Sequence, residues 1–330
     1  MNYSFIIPVY NRPEEVDELL QSLTQQTYEA SFEVVVIEDG STLPAETICE
    51  NYAKKLNITY LSKQNSGPGS SRNYGMQHAS GDYFLILDSD CILPPYYLEA
   101  VDDFLQKNYV DCFGGPDTAD ESFTTIQKAI NYVMTSLLTT GGIRGKEKSV
   151  QKFEPRSFNM GLSRKAFEAT GGFGNIHPGE DPDLVIRLWQ QGFQTTFIPS
   201  AFVYHKRRIS WQKFQKQVSK FGQTRAILNH WYPHTRRLTF WLPLLFSIGL
   251  ILSVVASCFG YIAGILIYLC YFILIAFDSA RANKSVVIGL LSLWALLVQF
   301  FSYGFGFAWA TFKIATSKET PEALFPHLFF

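Results

Sequence analysis

Short apolar runs alternate with helical periodicity along the first 200 residues. Residues 4–9 form an apolar strand, and Pro13-Glu14-Glu15 opens a helix that places Val16, Leu19, Leu20 and Leu23 on one face. Phe32 to Ile37 predicts a second strand, Thr47 to Leu56 a helix, and Ile58 to Leu61 a third strand. The loop Asn65-Ser66-Gly67-Pro68-Gly69-Ser70-Ser71 leads into a helix over Arg72 to Ala79, and Tyr83-Phe84-Leu85-Ile86-Leu87 reads as a fourth strand. Strand–helix alternation with continuously apolar strands predicts an α/β domain with a mainly parallel sheet covered on both faces. Phe123 to Thr139 predicts a linking helix, followed by the glycine- and charge-bearing segment Thr139–Val150, either a substrate-ordered loop or a surface insertion.

The pattern changes near residue 238. Phe240–Phe259, Tyr261–Phe277 and Val286–Phe312 are three apolar runs without a charged residue. Each approaches or exceeds the roughly 20 residues that cross a bilayer, so about three spans are expected over 238–314, with a tail at 315–330. The first two runs suit a tight hairpin, and the third has room to tilt, bend or re-enter. Before them, Trp211, Phe214, Val218, Phe221 and Leu228 recur at helical spacing, with Lys213, Lys216, Lys220 and Arg225 on other faces. Residues 205–237 thus form a basic amphipathic segment that suits an anionic membrane surface; the alternative is a helix packed on the soluble domain.

Charge adds a direction. The net charge is −1, so no overall field draws nucleic acid, but 205–237 holds nine Lys or Arg and no acid. Arg236 and Arg237 precede the first run, Arg281 and Lys284 lie between the second and third, and the turn between the first two is uncharged. The positive-inside rule then keeps the N-terminal domain in the cytosol, and three spans would put the tail outside. No leader is read before the first strand. Five cysteines without CxxC spacing read as reduced residues, not as a disulfide framework or metal site.

Candidate chemistry gathers where the strands end. Asn11 and Arg12 follow the first, Asp39 the second, the Gly67–Ser71 loop the third, and Asp88-Ser89-Asp90 the fourth. Ligands of α/β sheets bind at that edge. Two carboxylates there can hold Mg²⁺ or Mn²⁺, and the ion a diphosphate; a solvated strand end explains them equally on their own. Glu180-Asp181-Pro182-Asp183 opens another helix, where acids and proline also suit a helix start.

Ser4-Phe5-Ile6-Ile7-Pro8-Val9-Tyr10-Asn11, Val36-Ile37-Glu38-Asp39-Gly40-Ser41, Gly67-Pro68-Gly69-Ser70-Ser71-Arg72-Asn73 and Leu87-Asp88-Ser89-Asp90 follow one another in this order. Phe158-Asn159-Met160-Gly161, Gly171-Gly172-Phe173 and Glu180-Asp181-Pro182-Asp183-Leu184 continue the set. The ordered set resembles the inverting glycosyltransferases of family 2, over roughly residues 3–205, in membrane-anchored bacterial-type form. The resemblance implies a GT-A nucleotide-sugar-binding domain with a Rossmann-like sheet over 1–204. It implies that Pro8, Asn11 and Asp39 lie around the nucleotide, and that Gly67, its loop and Arg72 face the donor. Asp88 would contact the donor ribose or the metal shell and Asp90 would be the main metal ligand, with His205 either completing the shell or contacting the diphosphate. Lys206, Arg207 and Arg208 are further candidates for the phosphate. Asp181 is marked as general base, supported by Glu180.

The implied reaction moves a sugar from a UDP- or GDP-type donor to a hydroxyl of a lipid-linked glycan at the cytosolic face of the inner membrane. Membrane lipids are expected partners. A polyprenyl-phosphate acceptor is the runner-up; an ionised phosphate needs no base, so Glu180-Asp181 favours a hydroxyl. A processive synthase usually carries Gln-x-x-Arg-Trp, which Gln223-Thr224-Arg225-Ala226 does not match. A non-catalytic sugar-nucleotide sensor is the remaining alternative, opposed by the full carboxylate set.

Overall fold

The computed structural model describes residues 1–118, 123–141, 153–205 and 210–330; most of the Thr139–Val150 segment lies outside them. By contact these form two units: residues 1–118, 153–205 and Phe330 in one, and 123–141 with 210–329 in the other.

The first unit opens with β1 (Tyr3–Val9), α1 (Pro13–Leu23), β2 (Glu33–Asp39), α2 (Glu46–Tyr52), β3 (Asn57–Lys63), α3 (Pro68–His78) and β4 (Tyr83–Leu87). The four strands run parallel in the order β3-β2-β1-β4, so their C-terminal ends share one edge. Their apolar side chains are buried on both faces. Phe5, Ile7, Val34, Val36 and Leu85 pack to one side against Val16, Leu19 and Leu20 of α1. Ile6, Val35, Ile37, Phe84 and Ile86 pack to the other with Met76 of α3. Each large aliphatic or aromatic side chain buried this way contributes on the order of 1.5–3 kcal/mol.

Several helices differ from their predicted limits, α3 and α2 among them. α3 begins at Pro68, not Arg72, because proline suits the first helical turn and Gly67 adopts a left-handed φ of +86° before it. α2 stops at Tyr52, where the Lys55 and Leu56 amides bond back to the Tyr52 carbonyl.

After β4 come β5 (Cys91–Ile92), α4 (Tyr97–Lys107), β6 (Cys112–Gly114) and β7 (Asp117–Thr118). The helices α5 (Thr125–Thr135) and α6 (Leu137–Thr140) interrupt this unit in sequence and belong to the other one. Then follow β8 (Asn159–Ser163), α7 (Arg164–Thr170), α8 (Glu180–Gln190), β9 (Thr195–Phe197) and β10 (Val203–His205). Among the described residues the main sheet has seven strands, β3-β2-β1-β4-β8-β6-β9, with β8 antiparallel to both neighbours. A small sheet, β5-β10-β7, pairs the backbone of His205 with Cys91, next to Asp90.

The second unit is helical. Besides α5 and α6 it contains α9 (Trp211–Trp231), α10 (Leu242–Ser257), α11 (Ala263–Asn283), α12 (Val286–Thr316) and α13 (Pro321–Leu324). Leu238–Ser257, Ala263–Asn283 and Val286–Thr316 are long and apolar enough to cross a membrane. α5 joins this unit through a cluster of Ile130, Val133 and Met134 with Phe214, Val218, Ile275, Ala295, Leu296 and Phe300. Tyr132 of α5 also donates a hydrogen bond to Asp278 at 2.5 Å. α9 lies close against α12 because Gly222 has no side chain: a Cβ there would collide with the Tyr303 carbonyl.

Candidate active site

The shared edge of β1–β4 is where the polar loops meet. Asn11 follows β1 with φ +54°, a conformation that asparagine tolerates better than most residues. Its side-chain oxygen accepts from the Thr42 and Leu43 amides at 2.8 and 3.1 Å, tying the first loop to the second. Pro8 lies half-buried in β1, opposite Ile37. Asp39 is buried at the end of β2. Its carboxylate accepts from Lys63 and from the Ser66 and Gly67 amides, the latter two both at 3.0 Å. Asp39 therefore fixes the loop that begins α3. Glu38, also buried, accepts from Ser41, the Ala45 amide and Tyr60.

Arg72 is the hub of the acidic residues. It is 4% exposed and donates to Asp88 at 2.8 Å and to Glu180 at 3.3 Å. The strand-end carboxylate and the α8 carboxylate, 92 residues apart in sequence, thus share one guanidinium. Arg12 donates to Asp90 at 2.7 Å. His177 and the Gly179 amide complete the environment of Glu180 at 3.0 and 2.9 Å. Burial alone would raise the Glu180 pKa, but the His177 hydrogen bond and charge, with Arg72, hold it down to about 2.

Asp181 is treated in the opposite way. Burial, then the Glu180 charge, push its carboxyl above the usual aspartate range, against the pull of Arg72, Arg156 and a hydrogen bond from Ser157. Its Oδ1 is buried without a hydrogen-bond partner, and so is Arg72 Nε. A buried polar atom left unpaired costs about 1–3 kcal/mol, so each marks a place where a ligand atom would improve the structure. Adjacent carboxylates with pKa values driven apart are the arrangement acid–base chemistry uses.

Asp88 and Asp90 offer carboxylates with side-chain exposures of 34% and 12%. Among the described residues no group of three or more His, Cys, Asp and Glu gathers as a metal cage. Mg²⁺-type ions are commonly held by one or two carboxylates, the remaining positions going to water and substrate phosphate oxygens. The donor set fits that pattern. The His205 backbone lies beside Cys91, while its side chain is outside the described residues, as are Lys206, Arg207 and Arg208. Cys91 itself is fully buried, its thiol pushed well up by burial and then by the Asp88 and Asp90 charges.

Five residues join the site that the sequence did not single out. Lys63 anchors Asp39, His177 anchors Glu180, and Arg156 and Ser157 face Asp181. Phe330 donates its amide to the Asn175 carbonyl at 3.1 Å, and its ring lies 5.6 Å from that of His177. A Cβ on Gly67 would collide with the same ring. Phe330 had no sequence signal: nothing local links residue 330 to residue 67.

Residues 4–171 match Glycosyl transferase family 2, and the chain belongs to that family. It is 35% identical over 239 residues to the minor teichoic acid biosynthesis protein GgaB of Bacillus subtilis, covering 71% of this chain and 25% of that one. It is 36% identical over 114 residues to poly(ribitol-phosphate) beta-N-acetylglucosaminyltransferase TarS of Staphylococcus aureus, covering 34% of this chain and 20% of the relative. The chain thus spans a quarter or less of these relatives' length. Among solved structures, mannosyltransferase PcManGT from Pyrobaculum calidifontis, in complex with GDP-Man and Mn²⁺, superposes with a TM-score of 0.62 at 16% identity, covering 93% of this chain and 87% of that one. TarS 1–349 in complex with UDP-GlcNAc gives 0.51 at 18%, covering 97% and 93%. These likenesses show the GT-A-like fold expected from the motifs.

Proposed function

We propose that the chain is an inverting glycosyltransferase that moves a sugar from a UDP- or GDP-type donor to a hydroxyl of a glycan acceptor carried on a membrane lipid. The observation that carries this reading is the buried, unpaired Oδ1 of Asp181 on a carboxyl whose pKa is raised. A sugar hydroxyl is a weak nucleophile and needs a base of matched pKa within reach. Asp181 takes the hydroxyl proton as the oxygen attacks the anomeric carbon. The bond from that carbon to the diphosphate oxygen breaks, its electron pair leaves with the nucleoside diphosphate, and the single displacement inverts the centre. Glu180, already ionised and clamped by Arg72 and His177, stays an anion and raises the basicity of its neighbour.

Asp88 and Asp90 would hold Mg²⁺ or Mn²⁺, which supplies positive charge to the leaving diphosphate. Arg12 and Arg72, now on Asp90 and Asp88, bring cationic groups to the same place. Asn11, Asp39 and Gly67 shape the donor loops, and a carboxylate such as Asp39 can accept from a base N–H or a ribose hydroxyl. The names of the relatives, which include teichoic acid and poly(ribitol-phosphate), support an envelope polymer as the acceptor class. The three apolar helices support delivery of that acceptor on a lipid, and the basic residues that flank them support a cytosolic site on the inner membrane.

The test is Asp181→Asn in the full chain. Release of nucleoside diphosphate in the presence of a lipid-linked glycan is expected to fall by at least about 10²-fold, the usual weight of a general base. Metal-dependent donor binding, read by calorimetry, is expected to stay within a few-fold. Transfer at the wild-type rate would remove Asp181 as the base.

A further inference from the structure

The C-terminal helices look at first like three crossings, but the contacts within their unit argue otherwise. After α12 the chain folds back along α9. Lys313 donates to the Leu324 carbonyl at 2.8 Å and sits over the Phe325 ring. His327 bonds to Gln223 at 2.9 Å, its carbonyl accepts from Lys220 at 3.5 Å, and Phe329 packs on Trp231. The tail therefore lies on the same side of the membrane as α9.

α9 itself fixes a level. It carries Lys213, Lys216, Lys220 and Arg225 and no acid. A charge at the bilayer centre is costly even on the most lenient scale. Yet Lys216 and Lys220, with Gln215 and Gln223, line one groove of about 500 Å³ with Ser302, Phe305 and Gly306 of α12. Ser302–Gly306 lies just past the midpoint of α12. Were α12 to stand across the bilayer, that midpoint and the lysines beside it would lie in hydrocarbon. Further back, α12 shares the cluster of Ala295, Leu296 and Phe300 with α5, whose Tyr132 meets Asp278. α12 thus rests on α9 and α5, and it also meets α11 where Ser279 and Ser292 hydrogen-bond and α10 where Gly304 abuts Leu244.

Lengths agree. Leu238–Ser257 and Ala263–Asn283 have 20 and 21 residues, about 30 Å each, which matches the hydrocarbon thickness. They pack as a hairpin, with Tyr268 donating to the Phe246 carbonyl at 2.9 Å and Gly264 facing Ser253. α12 has 31 residues, roughly 46 Å, too long for a crossing without strong tilt. Its exposed apolar residues, Val286, Val287, Leu290 and Trp294 before the middle and Phe305, Trp309 and Phe312 beyond it, form a stripe that is interrupted between 295 and 304. Basic residues stand at both ends, Arg281 and Lys284 before it and Lys313 and Lys318 after.

We propose that α12 lies in the plane of the membrane interface, its stripe in the acyl boundary and the α9–α12 groove at the level of the phospholipid phosphates. The chain then crosses only twice, out through α10 and back through α11. The partner is an anionic lipid head-group layer, to which Lys216 and Lys220 are complementary.

The full chain in sealed vesicles tests this, in a background with Cys258→Ser and Cys270→Ser. Single cysteines replace Lys54 in the first unit, Tyr261 in the α10–α11 turn and Glu319 in the tail, all exposed positions. A membrane-impermeant maleimide is expected to label Lys54→Cys and Glu319→Cys from one side and Tyr261→Cys from the other. Glu319→Cys labelling together with Tyr261→Cys would restore three crossings and overturn the proposal. Nitroxides at Leu290, Trp294, Phe305 and Trp309 give a second readout. Near-equal shallow depths are expected, whereas a profile deepest at the middle of α12 refutes the in-plane helix. Neither readout depends on activity, so the catalytic assignment stands or falls separately.

Discussion

Asp181 and Glu180 sit side by side and are held in opposite protonation behaviour, which gives the site a pH signature. Asp181 binds its proton more tightly in the folded chain than the ordinary aspartate value of 3.8. Its protonated form is no longer basic enough to take the acceptor proton, so transfer should fall on the acid side at a pH above that value. A kcat/KM–pH profile checks this, and an acid limb below pH 3.8 contradicts it. The same raised value means that ionising Asp181 works against folding as pH rises. Asp181→Asn should therefore melt no lower than the wild type at pH 7 while losing transfer, an outcome that calorimetry reads directly. Glu180 has the reverse sign. Its folded value of about 2 lies below the ordinary glutamate value of 4.5, so the stability it contributes is complete above about pH 4.5 and drains away towards pH 2. Arg72→Met leaves Glu180 and Asp88 without their shared cation. It should cost about 3–5 kcal/mol by denaturant titration, whereas Arg72→Lys should lose less.

At the scale of elements, the turn into α3 combines two constraints on one residue. Gly67→Ala meets both a left-handed φ and the Phe330 ring. We expect a loss of about 1–2 kcal/mol, of which Phe330→Ala relieves the steric part and not the backbone part. A double-mutant cycle with zero coupling would show that the ring does not press on Gly67. The parallel strands were legible because double-sided burial writes continuous apolar runs such as Tyr83–Leu87. The carboxylates at their ends were legible because polar residues must follow such a run. β5, β7 and β10 were not, since strands of two or three residues carry no period. Nor was the pairing of Arg72 with Glu180, because a guanidinium reaches its partners through space without leaving a local pattern. The motif order supplied the association of Asp88 with Asp181, and the structure adds the arginine through which their two halves meet.

At the scale of the molecule, sequence order and packing order disagree. α5 lies inside the stretch read as the catalytic domain, but Ile130, Val133 and Met134 pack with Ile275, Ala295, Leu296 and Phe300. A truncation at residue 205 should consequently bare an apolar helix face and elute as aggregate. The same truncation with Ile130, Val133 and Met134 changed to Ser, Lys and Gln should run as a monomer on size exclusion. Equal behaviour of the two would show that α5 does not need its partners. The placement of α5 also has a timing consequence. Tyr132 and its partner Asp278 are 146 residues apart. At about 5–20 residues per second, a ribosome takes roughly 7–30 s to bring the second out after the first. For that interval the nascent chain holds out an apolar helix with nothing to cover it, so synthesis of this protein should lean on a holding chaperone or on early membrane delivery.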